Sequence, residues 1–234
     1  GKPIVKPLFY YHDQDPQLAD YSSAYYYGDQ LLVAPVINSG ITEKDIILPE
    51  GVWFDFYTGK RIKGGELKSF PITLNEIPVF VKAGAFLPML DDYQSTDKYP
   101  DQKIYMHYYP VEEGQISTYD LFEDDGDNAK NLENQQYQIN HFRSFNTQKE
   151  LVLSVEKKGP DFKYHKEERR IVWIIHDLEE FPESVLIDGE AQFVYHILQK
   201  PAIKEVDAKY NARTKTLSIN MPWKKDSFTI KIIK

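Results

Sequence analysis

Near the C-terminus the apolar positions recur every second residue: Leu217, Ile219 and Met221 alternate with Thr216, Ser218 and Asn220, and Phe228, Ile230 and Ile232 alternate with Ser227, Thr229 and Lys231. A period of two places one apolar and one polar face on an extended chain, the pattern of a half-buried antiparallel sheet. Less regular runs of the same kind occur at residues 52–57, 77–81, 117–122, 151–155 and 171–175. Thr58-Gly59, Gly64-Gly65, Asp125-Gly126 and Asp188-Gly189 supply turn residues that tolerate positive φ. Strands this short and this often interrupted predict an all-β chain of two consecutive antiparallel β-sandwiches.

The helical period is nearly absent. One short helix is predicted over residues 16–27, with Pro16 in its first turn, Asp13 or Asp15 as N-cap, and Gly28 at the C-cap. Its Tyr25, Tyr26 and Tyr27 are apolar on more than one side, so the helix requires a cover. The dense apolar stretch 77–88 gives way after Leu90 to polar residues poor in strand formers. The expected organisation is a first sandwich over 1–91, a linker over 92–99 and a second sandwich over 100–234.

Composition narrows the function classes. The 234 residues carry 28 Lys plus Arg against 36 Asp plus Glu, a formal charge of −8, which disfavours nucleic acid and anionic membranes as partners. At 41% hydrophobic and 14% aromatic, the chain has enough apolar material for a sizeable core. No stretch approaches the roughly 20 apolar residues of a membrane-spanning helix. The start at Gly1 lacks the apolar region of a signal peptide and reads like a cut inside a longer protein. The cysteine count is zero, which removes disulfides, thiolate metal sites and a cysteine nucleophile, and leaves the compartment open.

Several side-chain patterns bear on chemistry. Asp124, Asp125 and Asp127 surround a glycine in the run 123–128 and could offer oxygens to a hard cation. Their spacing departs from the EF-hand pattern, and a self-capping turn between strands accounts for them better than an ion site. Asp13 and Asp15 resemble the carboxylate pair of a glycosidase, yet neighbours just before a helix are better explained as caps. The six histidines show no metal-ligand spacing, and no glycine-rich phosphate cradle or nucleophile elbow is present, so no cofactor is expected. Trp53 and Trp173 sit inside apolar strands, whereas Trp223, flanked by Pro222, Lys224 and Lys225, is the candidate for a sugar-stacking surface ring.

Five blocks, taken in order, resemble a known family: residues 1–9 (GKPIVKPLF), 27–36 (YGDQLLVAPV), 47–59 (ILPEGVWFDFYTG), 77–88 (IPVFVKAGAFLP) and 119–126 (YDLFEDDG). They are similar to the region that follows the catalytic barrel in family 31 glycoside hydrolases, the α-glucosidase and α-xylosidase group. The resemblance implies proximal and distal C-terminal β-sandwiches. It also implies that the nucleophilic and acid/base aspartates lie on barrel strands before Gly1, so no catalytic residue is assigned here. The chain then reads as a non-catalytic part of a retaining α-glycosidase. Its partners would be its own upstream barrel and that enzyme's oligosaccharide or glycoside substrate. Tyr25, Tyr26, Tyr27, Phe80 and Phe86 are the candidate barrel contacts. Two alternatives stay open: a stand-alone carbohydrate-binding sandwich, and a self-sufficient hydrolase using carboxylates of the chain itself.

Overall fold

The computed structural model describes residues 2–95, 102–160, 169–199 and 205–234. The chain divides into two compact units, Gly1–Ala85 and Phe86–Lys234. The break lies a few residues before the boundary expected after Leu90, because 86–89 joins the second unit's sheet. Part of the expected linker falls outside the described residues.

The first unit is built from β1 (Val5–Pro7), β2 (Tyr25–Tyr27), β3 (Leu31–Val33), β4 (Glu43–Ile47), β5 (Val52–Asp55), β6 (Arg61–Lys63), β7 (Leu67–Pro71) and β8 (Val79–Lys82). Six of these form a sheet in the order β1-β2-β3-β8-β5-β6, and β4 pairs with β7 in a second, two-stranded sheet. Between them lies a core of Leu8, Leu18, Tyr26, Leu32, Ile46, Leu48, Trp53 and Phe80. Burying a side chain of this size contributes about 1.5–3 kcal/mol.

The predicted helix over 16–27 is corrected here. The helix α1 runs only Pro16–Ala19, capped by Asp15, whose carboxylate accepts the Gln17 N–H at 2.9 Å. Tyr25–Tyr27 is instead a strand, paired with β1 and β3, and it buries Tyr26 while Tyr27 faces solvent. Three adjacent tyrosines suit a pleated surface, and pairing on both edges satisfies their backbone groups, so the tertiary setting prevails over the cap signals. Gly28 is the turn after this strand, at φ +65°.

The second unit contains β9 (Phe86–Met89), β10 (Lys103–Tyr108), β11 (Ile116–Glu123), β12 (Gln138–Asn146), β13 (Glu150–Lys158), β14 (Arg170–Ile175), β15 (Ser184–Ile187), β16 (Glu190–Gln192), β17 (Val194–His196), β18 (Asp207–Asn211), β19 (Thr216–Pro222) and β20 (Ser227–Ile233). They make two six-stranded sheets, ordered β17-β18-β19-β14-β10-β9 and β11-β12-β13-β20-β15-β16. Two pairings in the first of these sheets, β10 with β14 and β17 with β18, are parallel. The chain leaves β10 to build three strands of the facing sheet before returning as β14, so no hairpin joins that pair.

The alternating positions meet in the middle. Met106, Tyr108, Trp173, Ile175, Leu217 and Ile219 from one sheet face Phe142, Leu153, Phe228, Ile230 and Ile232 from the other. Phe142 and Trp173 meet edge to face with centroids 5.7 Å apart. The Tyr108 hydroxyl, deep in this layer, donates to Ser144 Oγ at 2.7 Å.

Candidate functional site

The first unit exposes apolar and aromatic side chains along one edge. Val5 and Tyr27 lie directly opposite each other in the β1–β2 register and are 55% and 52% exposed. Ile4, whose carbonyl accepts the Gly28 N–H, and Phe9, Tyr10 and Tyr11, from the turn after β1, are also exposed. Lys6, which alternation along β1 turns to the face opposite Val5, lies beneath Tyr10 and Tyr11 and is only 2% exposed. Its ammonium bonds to Asp29 and to the Gly28 carbonyl, and lies 5.8 and 5.2 Å from the Tyr10 and Tyr11 ring centroids. Tyr11 also donates to Asp29. Burial by itself would lower the Lys6 pKa, but the bonds to Asp29 and Tyr11 outweigh it and the net shift is upward. The same two bonds, Lys6 before Tyr11, hold the Asp29 carboxyl below its usual range. A buried cation thus pins the β2–β3 turn and the aromatic turn together, which fixes the edge in one shape.

Of the five predicted barrel contacts, Tyr27 lies on this edge and Tyr25 is half-buried beside it. Tyr26, Phe80 and Phe86 are corrected: they are 2%, 1% and 0% exposed. Each points inward on its strand, Tyr26 and Phe80 into the first core and Phe86 into the second, so none offers a surface. Phe9, Tyr10 and Tyr11, absent from that prediction, are exposed as well. Three consecutive aromatics after a proline were the available signal.

The acidic turn after β11 holds its own carboxylates. Asp124 Oδ1 accepts the Gly126 N–H at 2.9 Å, and Asp125 Oδ1 accepts the N–H groups of Asp127 and Asn128 at 3.1 and 3.2 Å as well as the Asn131 amide. These bonds, with Asn131 first, lower the Asp125 pKa. Among the described residues no group of three or more His, Cys, Asp or Glu is placed to hold a metal ion. Asp15 caps α1, and Asp13 accepts from Gln14 at 3.2 Å.

Glu123, at the end of β11, lies apart from that turn. Arg169 donates to it twice, at 2.9 and 2.6 Å, and Gln138 and Asn140 of β12 add bonds at 3.0 and 2.7 Å. The Arg169 guanidinium lies 4.7 Å over the ring of Trp223, whose edge meets Phe142 and Phe228. Trp223, the candidate sugar platform, is therefore half-buried at the core edge with a face taken by Arg169.

Two histidines that sequence spacing kept apart also meet: His107 Nδ1 and His176 Nε2 are 3.0 Å apart, and Tyr109 stacks on His176 at 4.1 Å. Burial, followed by the charge of His107, pushes the His176 pKa down to about 3, and burial lowers that of His107.

The described chain is thus two β-rich units, the first with a cation-pinned aromatic edge. Residues 1–87 match the family model described as glycosyl hydrolase family 31 C-terminal domain. It is 31% identical over 176 residues to an α-xylosidase of Saccharolobus solfataricus, covering 74% of this chain and 23% of that protein. It is 30% identical over 126 residues to α-glucosidase 2 of Bacillus thermoamyloliquefaciens, covering 54% of this chain and 16% of that one. In fold it superposes on a GH31 dextranase of Flavobacterium johnsoniae with a TM-score of 0.88 at 23% identity, over 99% of this chain and 29% of the dextranase. The chain thus spans less than a quarter of the length of the two curated relatives.

Proposed function

We propose that the chain is the non-catalytic C-terminal portion of a retaining α-glycosidase of the α-glucosidase or α-xylosidase type, and that it steadies the preceding (β/α)8 barrel. The observation that carries this reading is the row of exposed aromatics in the part that matches the family 31 C-terminal domain. Apolar rings held in one shape by a buried cation suit a permanent protein contact, since little ordering entropy remains to be lost on docking. An interdomain contact of ordinary size buries roughly 600–1,500 Å². Covering the edge releases apolar area worth about 25 cal/mol per Å². The nucleophile and the acid/base group belong to the barrel in this reading, and none is assigned among Asp13, Asp15 and the acidic turn.

The test is to express the barrel portion of the parent enzyme with and without this chain supplied as a separate polypeptide. Co-purification and a longer half-life of α-glycoside hydrolysis on heating are expected, and Tyr27→Asp with Phe9→Asp should abolish both. Hydrolysis of a chromogenic α-glucoside or α-xyloside by this chain alone would overturn the reading.

A further inference from the structure

At the open edge of the second unit a cleft of about 340 Å³ enters between the two sheets. Its floor is apolar, made by Ile187, Val206, Met221 and Phe228. Its rim carries Asp188, Glu190, Gln192, Glu205, Lys224 and Lys225. The two lysines are adjacent in the loop between β19 and β20 and reach in opposite directions. Lys225 pairs at 2.6 Å with Asp188, in the β15–β16 turn of one sheet, and Lys224 pairs at 3.0 Å with Glu205, just before β18 of the other. The Lys224–Glu205 pair is solvent-exposed and contributes little to stability, and Lys225 is 68% exposed although its Asp188 partner also accepts the Thr229 N–H, so both ammonium groups are within reach of a competing hydrogen-bonding group.

The chemistry of the cleft selects among ligands. Its volume falls at the lower end of the roughly 300–1,000 Å³ typical of small-molecule sites. Three carboxylates against two ammonium groups leave the rim near neutrality, which favours neither a phosphate nor a metal cation. Among the described lining residues Phe228 is the only aromatic ring, so an aromatic base finds no second ring to sandwich it. What remains is a ligand with a small apolar face, many hydroxyls and no charge. Such a molecule sets its C–H face on Met221, Val206 and Phe228 and exchanges hydrogen bonds with a rim that holds both donors and acceptors.

We infer that this intersheet cleft binds a neutral saccharide of one or two rings. The site goes beyond the proposed function, which gives the second unit no ligand, and its test needs no catalytic portion.

The full chain is titrated with isomaltose, maltose and glucose 6-phosphate while its methyl NMR signals are followed. The neutral disaccharides should shift the methyls of Ile187, Val206 and Met221 saturably, with a Kd of about a millimolar, as a small, wet site gives. Glu190→Ala combined with Gln192→Ala, both on the rim, should weaken binding about tenfold and leave the unliganded spectrum otherwise unchanged. The inference is overturned by the absence of saturable shifts for both disaccharides, by shifts centred on first-core methyls such as those of Leu32 and Leu48, by tighter binding of glucose 6-phosphate, or by a double variant that binds as the parent does.

Discussion

Arg169 grips Glu123 through two parallel hydrogen bonds, 2.9 and 2.6 Å long, between side chains that are 7% and 13% exposed. The two residues stand 46 positions apart, and the pair joins the end of β11 to the start of β14 while Arg169 covers Trp223. Removing the guanidinium takes that cation from the buried Glu123 carboxylate, leaving the neutral Gln138 and Asn140 amides against it. Arg169→Ala is therefore expected to destabilise the second unit by about 3–5 kcal/mol, and Glu123→Gln by less, since an amide still accepts one of the two bonds. Urea unfolding followed by tryptophan fluorescence measures both. Equal midpoints for Arg169→Ala and the parent would refute the role given to the pair.

Gly64 has no room for a side chain. A Cβ there would lie 2.0 Å from the Pro49 carbonyl oxygen, which already accepts the Trp53 indole N–H at 2.8 Å. Gly64→Ala must displace backbone and should cost at least about 1–3 kcal/mol. Gly65→Ala meets no atom but sits at φ +94°, so its cost is conformational. Calorimetry of both variants should show a lowered Tm, with a change in the Trp53 environment only for Gly64→Ala.

Acidification should weaken the second unit through its histidine pair. The His176 pKa is about 3 in the folded chain against an ordinary value of 6.5, so the unfolded state binds the extra proton. The neutral imidazole's contribution is intact above about pH 6.5 and is lost as the pH falls from there toward 3, at up to about 1.4 kcal/mol per pH unit for the one proton. His107 acts in the same direction. His176→Gln should flatten the fall in stability between about pH 6.5 and 4, above the range in which Asp29 and Asp188, whose pKa values are also lowered, titrate. A variant as acid-sensitive as the parent would remove His176 from this account.

The aromatic edge of the first unit should make the chain sticky when alone. Phe9, Tyr10, Tyr11 and Tyr27 are all exposed and add aromatic surface at the β1–β2 edge. Binding of a hydrophobic dye, or self-association on dilution-series light scattering, is the expected behaviour. Tyr27→Ser with Phe9→Ser should lower both signals with little loss of stability, because the two side chains are 52% and 45% exposed. A monodisperse, dye-negative parent chain would count against the docking role.

Much of the fold is legible in the chain because a sheet writes its two faces into alternate residues. Leu217, Ile219 and Met221 are buried on β19 as their period requires, and Phe228, Ile230 and Ile232 likewise on β20. The region 16–27 was misread because a proline, a capping aspartate and a glycine are local signals of helix ends. The strand at Tyr25–Tyr27 exists through pairing with β1 and β3. The contact residues were misjudged for a related reason: apolar character in Phe80 and Phe86 says that a side chain seeks cover, and their own cores provide it.

By itself the amino-acid order determined the all-β character, the turn positions and the family resemblance, since all three reside in neighbouring residues and in short runs. The tertiary structure alone decided which aromatics stay in solvent, that Arg169 meets Glu123, that His107 meets His176, and that a cleft opens between Asp188 and Glu205. Those outcomes depend on the packing of strands distant in sequence, where burial and pairing are set by what the rest of the chain places opposite each residue.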